Sequence, residues 1–292
     1  MNKKNKVIIF GASENSINLY NNINLIYEII AFCDNDKSKQ NKKILDKNIY
    51  SPEFAINNLE FDYIIVASMS GLSSIVSQLI NMNVKSEKII TKYVEENINA
   101  RVSFLKNFSI LCEEFYKIHL FSVAECGVFQ GEFAKEINKY FSKSKLYLFD
   151  TFSGFDENDI IFEEKYNLSN SVPKHLSITS EEIVLSKMIN KDKVIIKKGY
   201  FPFTAEGIDE CFCFVNIDFD LYKPTLEALK FFYPKMVQGG IILVHDFFSE
   251  SYKGIRKAVL EFCQKNKKIN IFPIGDGLSI AIQKYEEESV WN

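Results

Sequence analysis

FVNIDFDLY at 214–222 and GGIILVHD at 239–246 are the two stretches on which the reading of the fold turns. Each contains an apolar run of strand length that stops abruptly at ionisable side chains. An unbroken apolar run of this kind suits a strand buried on both faces of a parallel sheet. Asp218, His245 and Asp246 then fall at the carboxyl edge of the sheet, where open α/β sheets bind ligands. A helical stretch and the Gly239-Gly240 turn lie between the runs, so the strands are expected to be parallel neighbours with the three groups together. Such a trio can hold a divalent cation or take a proton from a hydroxyl group. Either Asp alone is explained as well by helix capping. Both at one edge, in register with the features upstream, favour chemistry.

Upstream, the strand-like run at 122–126 leads into ECGVFQG at 125–131, whose Gly127 and Gly131 open a helix. A glycine turn of this kind is a weak signal alone. The next strand ends in Asp150, at the spacing where nucleoside-binding folds place a carboxylate for ribose hydroxyls. Glu125 and Asp150 are acids, so they suit a cationic, phosphate-free cofactor such as S-adenosylmethionine better than a pyrophosphate. A third strand ends at Gly199, Tyr200 and Phe201, where an aromatic side chain either flanks an adenine or packs the loop.

Strand-length runs alternate with amphipathic stretches along the whole chain, the pattern of an α/β protein. The alternation starts twice. Residues 1–93 form a small Rossmann-like domain, with strands at 7–10, 29–33, 63–67 and 88–91, helices at 15–24 and 73–82, and a polar loop rich in Lys and Asn. Residues 94–119 are connecting helices carrying Phe104, Leu105, Phe108, Leu111, Cys112 and Phe115 at helical spacing. Residues 120–292 form the second domain, whose last two strands end the sheet antiparallel. In the first domain Gly11 is followed by no further fingerprint glycine, so close approach of a pyrophosphate is not expected, although Asp34 can meet a ribose. A structural or dimer-forming role is favoured over nucleotide-sugar binding, which leaves a homo-oligomer open.

The 292 residues are 47% hydrophobic, enough for two cores, and the net charge of −3 gives no basic stripe for nucleic acid. No apolar run is long enough to span a membrane, and a cytoplasmic location is expected. The six Cys lack metal-site spacing and read as reduced packing residues. His119 and His175 stand alone and are assigned structural or solvent roles.

Together, ECGVFQG at 125–131, LYLFDTFSGFD at 146–156, KGYFPFT at 198–204, NIDFDLYKPTLEAL at 216–229 and YPKMVQGGIILVHDF at 233–247 resemble the macrocin O-methyltransferase family, whose relatives methylate sugar hydroxyls. The resemblance implies a class I methyltransferase domain with a seven-stranded sheet. It implies that Glu125, Gly127, Gly131 and Asp150 hold S-adenosylmethionine, with Thr151, Phe152, Gly199 and Tyr200 beside it. Asp218 is then both base and metal ligand, and His245 and Asp246 complete the metal site. Where the family has two Asp, this chain has His245 and Asp246; imidazole suits manganese, iron or zinc better than magnesium, and His245 is itself a candidate base. The expected function is O-methylation of a sugar or glycan precursor. The competing reading is a non-catalytic protein that binds a nucleotide sugar or S-adenosylmethionine. A nicotinamide-dependent oxidoreductase is disfavoured by the missing fingerprint in both domains. The stretch 155–172 reads as a lid.

Overall fold

The computed structural model describes residues 4–68, 71–174, 176–266 and 269–285, so His175 lies outside the described residues. The chain divides into two compact units, Met1–Asn99 and Ala100–Asn292.

In the first unit β1 (Lys6–Phe10), α1 (Glu14–Ile23), β2 (Glu28–Cys33), β3 (Lys43–Ile44), β4 (Lys47–Tyr50), α2 (Pro52–Asn58), β5 (Tyr63–Val66), α3 (Leu72–Asn81) and β6 (Ile89–Ile90) build a sheet of order β3-β4-β2-β1-β5-β6. Its core is the strand residues Val7, Ile8, Ile9, Phe32, Ile64 and Ile65, all fully buried. The polar loop of the sequence reading contains a hairpin. Leu45 and Asp46 turn it with φ of 48° and 61°, the left-handed geometry that two-residue hairpin loops need. Its strands are too short and too rich in Lys and Asn to show periodicity. The helix α2 also lay outside that reading, although Ser51 caps it by accepting the Phe54 N–H and Pro52 opens it.

The helix α4 (Lys92–Glu114) spans the division as one continuous element. In the second unit follow β7 (Ser122–Cys126), α5 (Glu132–Tyr140), β8 (Leu146–Asp150), α6 (Glu157–Lys165), α7 (Glu181–Lys187), β9 (Val194–Lys198), β10 (Phe212–Ile217), α8 (Tyr222–Phe232), β11 (Met236–Val244), α9 (Lys253–Lys265), β12 (Asn270–Pro273) and β13 (Ile280–Gln283). The seven-stranded sheet has the order β12-β13-β11-β10-β7-β8-β9. The pairs from β11 through β10, β7 and β8 to β9 are parallel, and β13 pairs antiparallel with both β11 and β12.

Helices cover both faces of this sheet, as the unbroken apolar strands require. On one face α8 and α9 pack Leu226, Leu229, Phe232, Val259 and Phe262 against Val215, Ile217 and Val244. On the other, α4 and α5 pack Leu105, Phe108, Cys112, Ala134 and Ile137 against Val123, Leu148 and Phe214. Of the residues expected on the stripe of α4, Leu111 and Phe115 instead face solvent. Chain order reverses between β7 and β10, which makes their carboxyl ends the mouth of a crevice.

Candidate active site

Two backbone bonds bring the strand tips together. The Asp218 N–H donates to the Cys126 carbonyl at 2.7 Å, and the Gly127 N–H donates to the Phe149 carbonyl at 2.8 Å. Gly127 has φ +82°, and a Cβ there would lie 2.0 Å from the Asp218 carbonyl oxygen. Its bare Cα therefore serves the contact between the β7 turn and the tip of β10. Gly131 (φ +78°) starts α5, and a Cβ on it would meet the Val184 side chain at 3.1 Å.

Asp150 closes the same turn. Its Oδ2 accepts the N–H groups of Val128 (2.7 Å) and Phe129 (2.9 Å), and its Oδ1 accepts that of Phe152 (2.7 Å). A carboxylate offers about four lone-pair sites, so Oδ1 keeps one for a further donor such as a ribose hydroxyl. Thr151 turns inward on its own loop, donating its hydroxyl to the Gly154 carbonyl at 2.7 Å. Phe152 is buried in the core with φ +54°. Gly199 joins the tip of β9 to that of β8 through its N–H on the Asp150 carbonyl, 2.9 Å. The Tyr200 hydroxyl is committed elsewhere, donating to Asp159 Oδ2 at 2.8 Å, and Phe201 packs in the aromatic core against Phe149 and Phe232.

Behind the turn lies a buried polar network. Glu125 is 2% exposed and Asn216, its partner in the parallel register, is fully buried. The Asn216 Nδ2 donates to Glu125 Oε1 at 3.1 Å. Burial pushes the Glu125 carboxyl well above its ordinary range, against the pull of Arg101. Arg101, on α4, donates from Nη2 to both Asn216 Oδ1 (2.8 Å) and Asp218 Oδ2 (2.9 Å). Its guanidinium lies 4.2 Å from the centre of the Phe133 ring. Arg101 is absent from the sequence reading, yet it carried a signal. It is one of two arginines among 35 cationic residues and falls on the same helical stripe as Leu105, Phe108 and Cys112. An arginine on an apolar stripe needs a carboxylate or an amide to face.

Asp218, His245 and Asp246 are brought together: one ligand atom from each lies within 4.8 Å of the others. Burial alone would raise the Asp218 carboxyl, but His245 and Arg101 outweigh it and hold the group below its ordinary value. Asp246 moves the other way, raised chiefly by burial. Asp220, two residues past Asp218 at the same strand tip, is buried with φ +62° and is raised well above its usual range by burial, then by Asp218 and Asp246. Three carboxylates crowded beside an imidazole fit a divalent cation by donor chemistry. The Asp246 N–H donates to His245 Nδ1 at 2.8 Å. That nitrogen ligates a cation only by giving up the bond.

The stretch expected as a lid contains α6, and α6 is anchored. Glu163 Oε1 accepts the Tyr222 N–H (2.7 Å) at the start of α8, Asp159 pairs with Lys223 (3.3 Å), and the Phe162 ring stacks on that of Tyr222. Asp159 and Glu163 are each 2% exposed, so moving α6 would leave buried acids without partners.

The description "Macrocin-O-methyltransferase (TylF)" matches residues 122–276, and "C2185-like, N-terminal" matches residues 3–90. No curated protein matches. Among solved structures, the O-methyltransferase NovP is 20% identical, with 64% of this chain and 80% of that chain covered and a TM-score of 0.51. The calicheamicin methyltransferase CalS11 is 15% identical, with 72% and 90% covered and a TM-score of 0.48.

Proposed function

The chain belongs to the macrocin-O-methyltransferase family and is an S-adenosylmethionine-dependent O-methyltransferase, and from that premise we propose that it methylates a hydroxyl of a sugar or glycan precursor with the help of a divalent cation. One observation carries the reading. Glu125, Asn216 and Asp218 stand on adjacent parallel strands at the crevice that the Gly127 turn and Asp150 border, with His245 and Asp246 beside Asp218.

S-adenosylmethionine supplies an electrophilic methyl group on a sulfonium. Asp150 and Glu125 are the carboxylates placed to hold its ribose hydroxyls and its cationic end. Asp218 is the group that takes the hydroxyl proton as the oxygen attacks. Arg101 anchors Asp218 Oδ2 and keeps the side chain from swinging. Asp218, His245 and Asp246 are the residues that would hold a cation, whose positive charge eases loss of the hydroxyl proton.

Replacing Asp218 with Asn should lower methyl transfer by at least about a hundredfold while calorimetric affinity for S-adenosylhomocysteine stays near wild type. Unchanged turnover would remove Asp218 from the mechanism. Chelation should lower transfer and added manganese or magnesium should restore it; indifference to the chelator would remove the cation.

A further inference from the structure

Two connections at the carboxyl edge of the seven-stranded sheet are joined to each other outside the strands. Ser169, between α6 and α7, pairs with Tyr252, between β11 and α9, as an isolated antiparallel bridge. Both sides of the bridge are held. Leu168 is buried, and its N–H donates to the Glu163 carbonyl at 2.9 Å. Tyr252 is the N-cap residue of α9, and its carbonyl accepts the Ile255 N–H at 3.1 Å. Arg256, one turn into that helix, donates from Nε to the Phe247 carbonyl at 3.2 Å and so ties α9 back to the residue after Asp246. Leu168 belongs to the core cluster that contains Ile217 and Val244, the residues immediately before Asp218 and His245, and Tyr252 packs against the same cluster. The bridge therefore borders the strand tips that carry the base and the candidate cation ligands.

The charge of Asp220 raises the half-buried Tyr252 hydroxyl well above its ordinary value, followed by burial and by Asp246 and Asp218. The phenol is thus within electrostatic reach of all three carboxylates and stays a neutral O–H donor. It hydrogen-bonds none of them, and its hydroxyl has no other partner among the described residues. A donor close to carboxylates that it does not bond is completed by a group that accepts from it and donates onward to them. An alcohol does both. A phosphate accepts only and meets the acids' charge, and an ammonium donates only and leaves the phenol unsatisfied. The reacting oxygen itself is a poor partner, because a donor on it would hold back the electrons that attack the methyl group. The strongest charge on the phenol is moreover that of Asp220, two residues past the base.

We propose that Tyr252 is an acceptor-binding residue that selects a vicinal diol: its Oη–H donates to the hydroxyl next to the one that Asp218 deprotonates. That second hydroxyl donates in turn to the acids beside Asp218. The assignment rests on the sugar-hydroxyl reading above and adds to it a requirement at the neighbouring carbon.

The test is methyl transfer from S-adenosylmethionine by the full chain to a panel of nucleoside-diphosphate hexoses. A hexose that turns over is then compared with its two analogues that each carry hydrogen in place of one hydroxyl adjacent to the methylated position. Tyr252→Phe keeps the ring and removes only the donor. With the parent hexose it should raise KM about tenfold and leave kcat within about twofold, while calorimetric affinity for S-adenosylhomocysteine stays at wild type and reports a folded variant. With one of the two analogues the wild type should show the same rise in KM, and Tyr252→Phe should add nothing to it, because the partner is already gone. A KM for the parent hexose unmoved by Tyr252→Phe, or a rise that is equally large with the parent and with both analogues, would overturn the assignment and leave the sugar reading standing. Failure of wild type to methylate any hexose of the panel, with S-adenosylhomocysteine still bound, would overturn the sugar reading and this assignment with it.

Discussion

The two sheets carry the same turn at the same place, and beside it they differ in polarity at three positions. In the first unit the Gly11 N–H donates to the Cys33 carbonyl and the Ala67 N–H to the Phe10 carbonyl; in the second, Gly127 donates to Phe149 and Asp218 to Cys126. Asp34 Oδ2 accepts the Ala12 N–H at 2.8 Å, as Asp150 Oδ2 accepts those of Val128 and Phe129. Laid over each other in this register, Ile9 and Ile65 stand where Glu125 and Asn216 stand, and Ala67 stands where Asp218 stands. An acidic strand tip closing a glycine turn is therefore a folding device in both units. At the proposed site Glu, Asn and Asp stand in place of two isoleucines and an alanine. Two buried isoleucines stabilise a sheet by roughly 1.5–3 kcal/mol each, whereas a buried acid and amide stabilise only when satisfied. The second unit gives up that packing at its crevice, and the first keeps it.

Substitutions made in pairs test how far the likeness goes. The largest effect is expected from Gly127→Ala, because its Cβ would run into the Asp218 backbone. A loss of about 3 kcal/mol or more, with faster hydrogen exchange in β7 and β10, is the outcome that hydrogen-exchange mass spectrometry in urea should register. Gly11→Ala would press on the Ser16 hydroxyl at 3.2 Å, with its other neighbours at ordinary contact distance, and should cost about 1–3 kcal/mol, confined to the first unit. Equal losses would show that the tight crossing of strand tips is not special to the second unit.

Next come the two turn-closing acids. Asp150→Asn weakens three bonds to backbone N–H groups and should cost about 1.5–3 kcal/mol together with affinity for S-adenosylhomocysteine. Asp34 accepts the N–H groups of Ala12 and Asp36 and pairs with Lys39 at 3.3 Å. Asp34→Asn should cost no more than that and leave methyl transfer untouched. A fall in transfer for Asp34→Asn would give the first unit a part in the reaction.

The smallest effect concerns pH. The Glu125 carboxyl is raised in the folded chain above its ordinary value of 4.5. Between those two values the folded state binds the proton more tightly, so this residue's contribution to stability falls as pH rises from about 4.5 and levels off above the folded value. Glu125→Gln removes that slope. The difference in urea midpoint between variant and wild type, without ligand, should therefore shift in favour of the variant as pH increases. A difference independent of pH would mean that burial does not raise the Glu125 carboxyl.

Much of the site was legible because strand ends are local events. Asp150, Asp218, His245 and Asp246 each terminate an apolar run, and in a parallel sheet that fixes the edge they share. Arg101 was harder to find because it acts from a helix more than a hundred residues before Asn216 and Asp218. Its only local mark is a charge on an apolar stripe. Tyr200 reads from its place after β9 either as an adenine neighbour or as loop packing, and its hydroxyl bonds Asp159, a partner no spacing rule could supply. The anchoring of α6 is likewise invisible in a mixed-charge stretch, since it depends on which acids are buried.

The order of apolar runs, glycines and acidic strand tips by itself determined two α/β units and the edge at which the second one gathers its ionisable groups. Hydrophobic periodicity and turn chemistry act over a few residues, and they are written in the chain. Tertiary structure alone decided which polar atoms meet. It put Arg101 against Asn216 and Asp218 and filled the matching positions of the first unit with isoleucine. Those outcomes depend on distances between elements far apart in sequence, where a hydrogen bond forms or fails within a few tenths of an ångström.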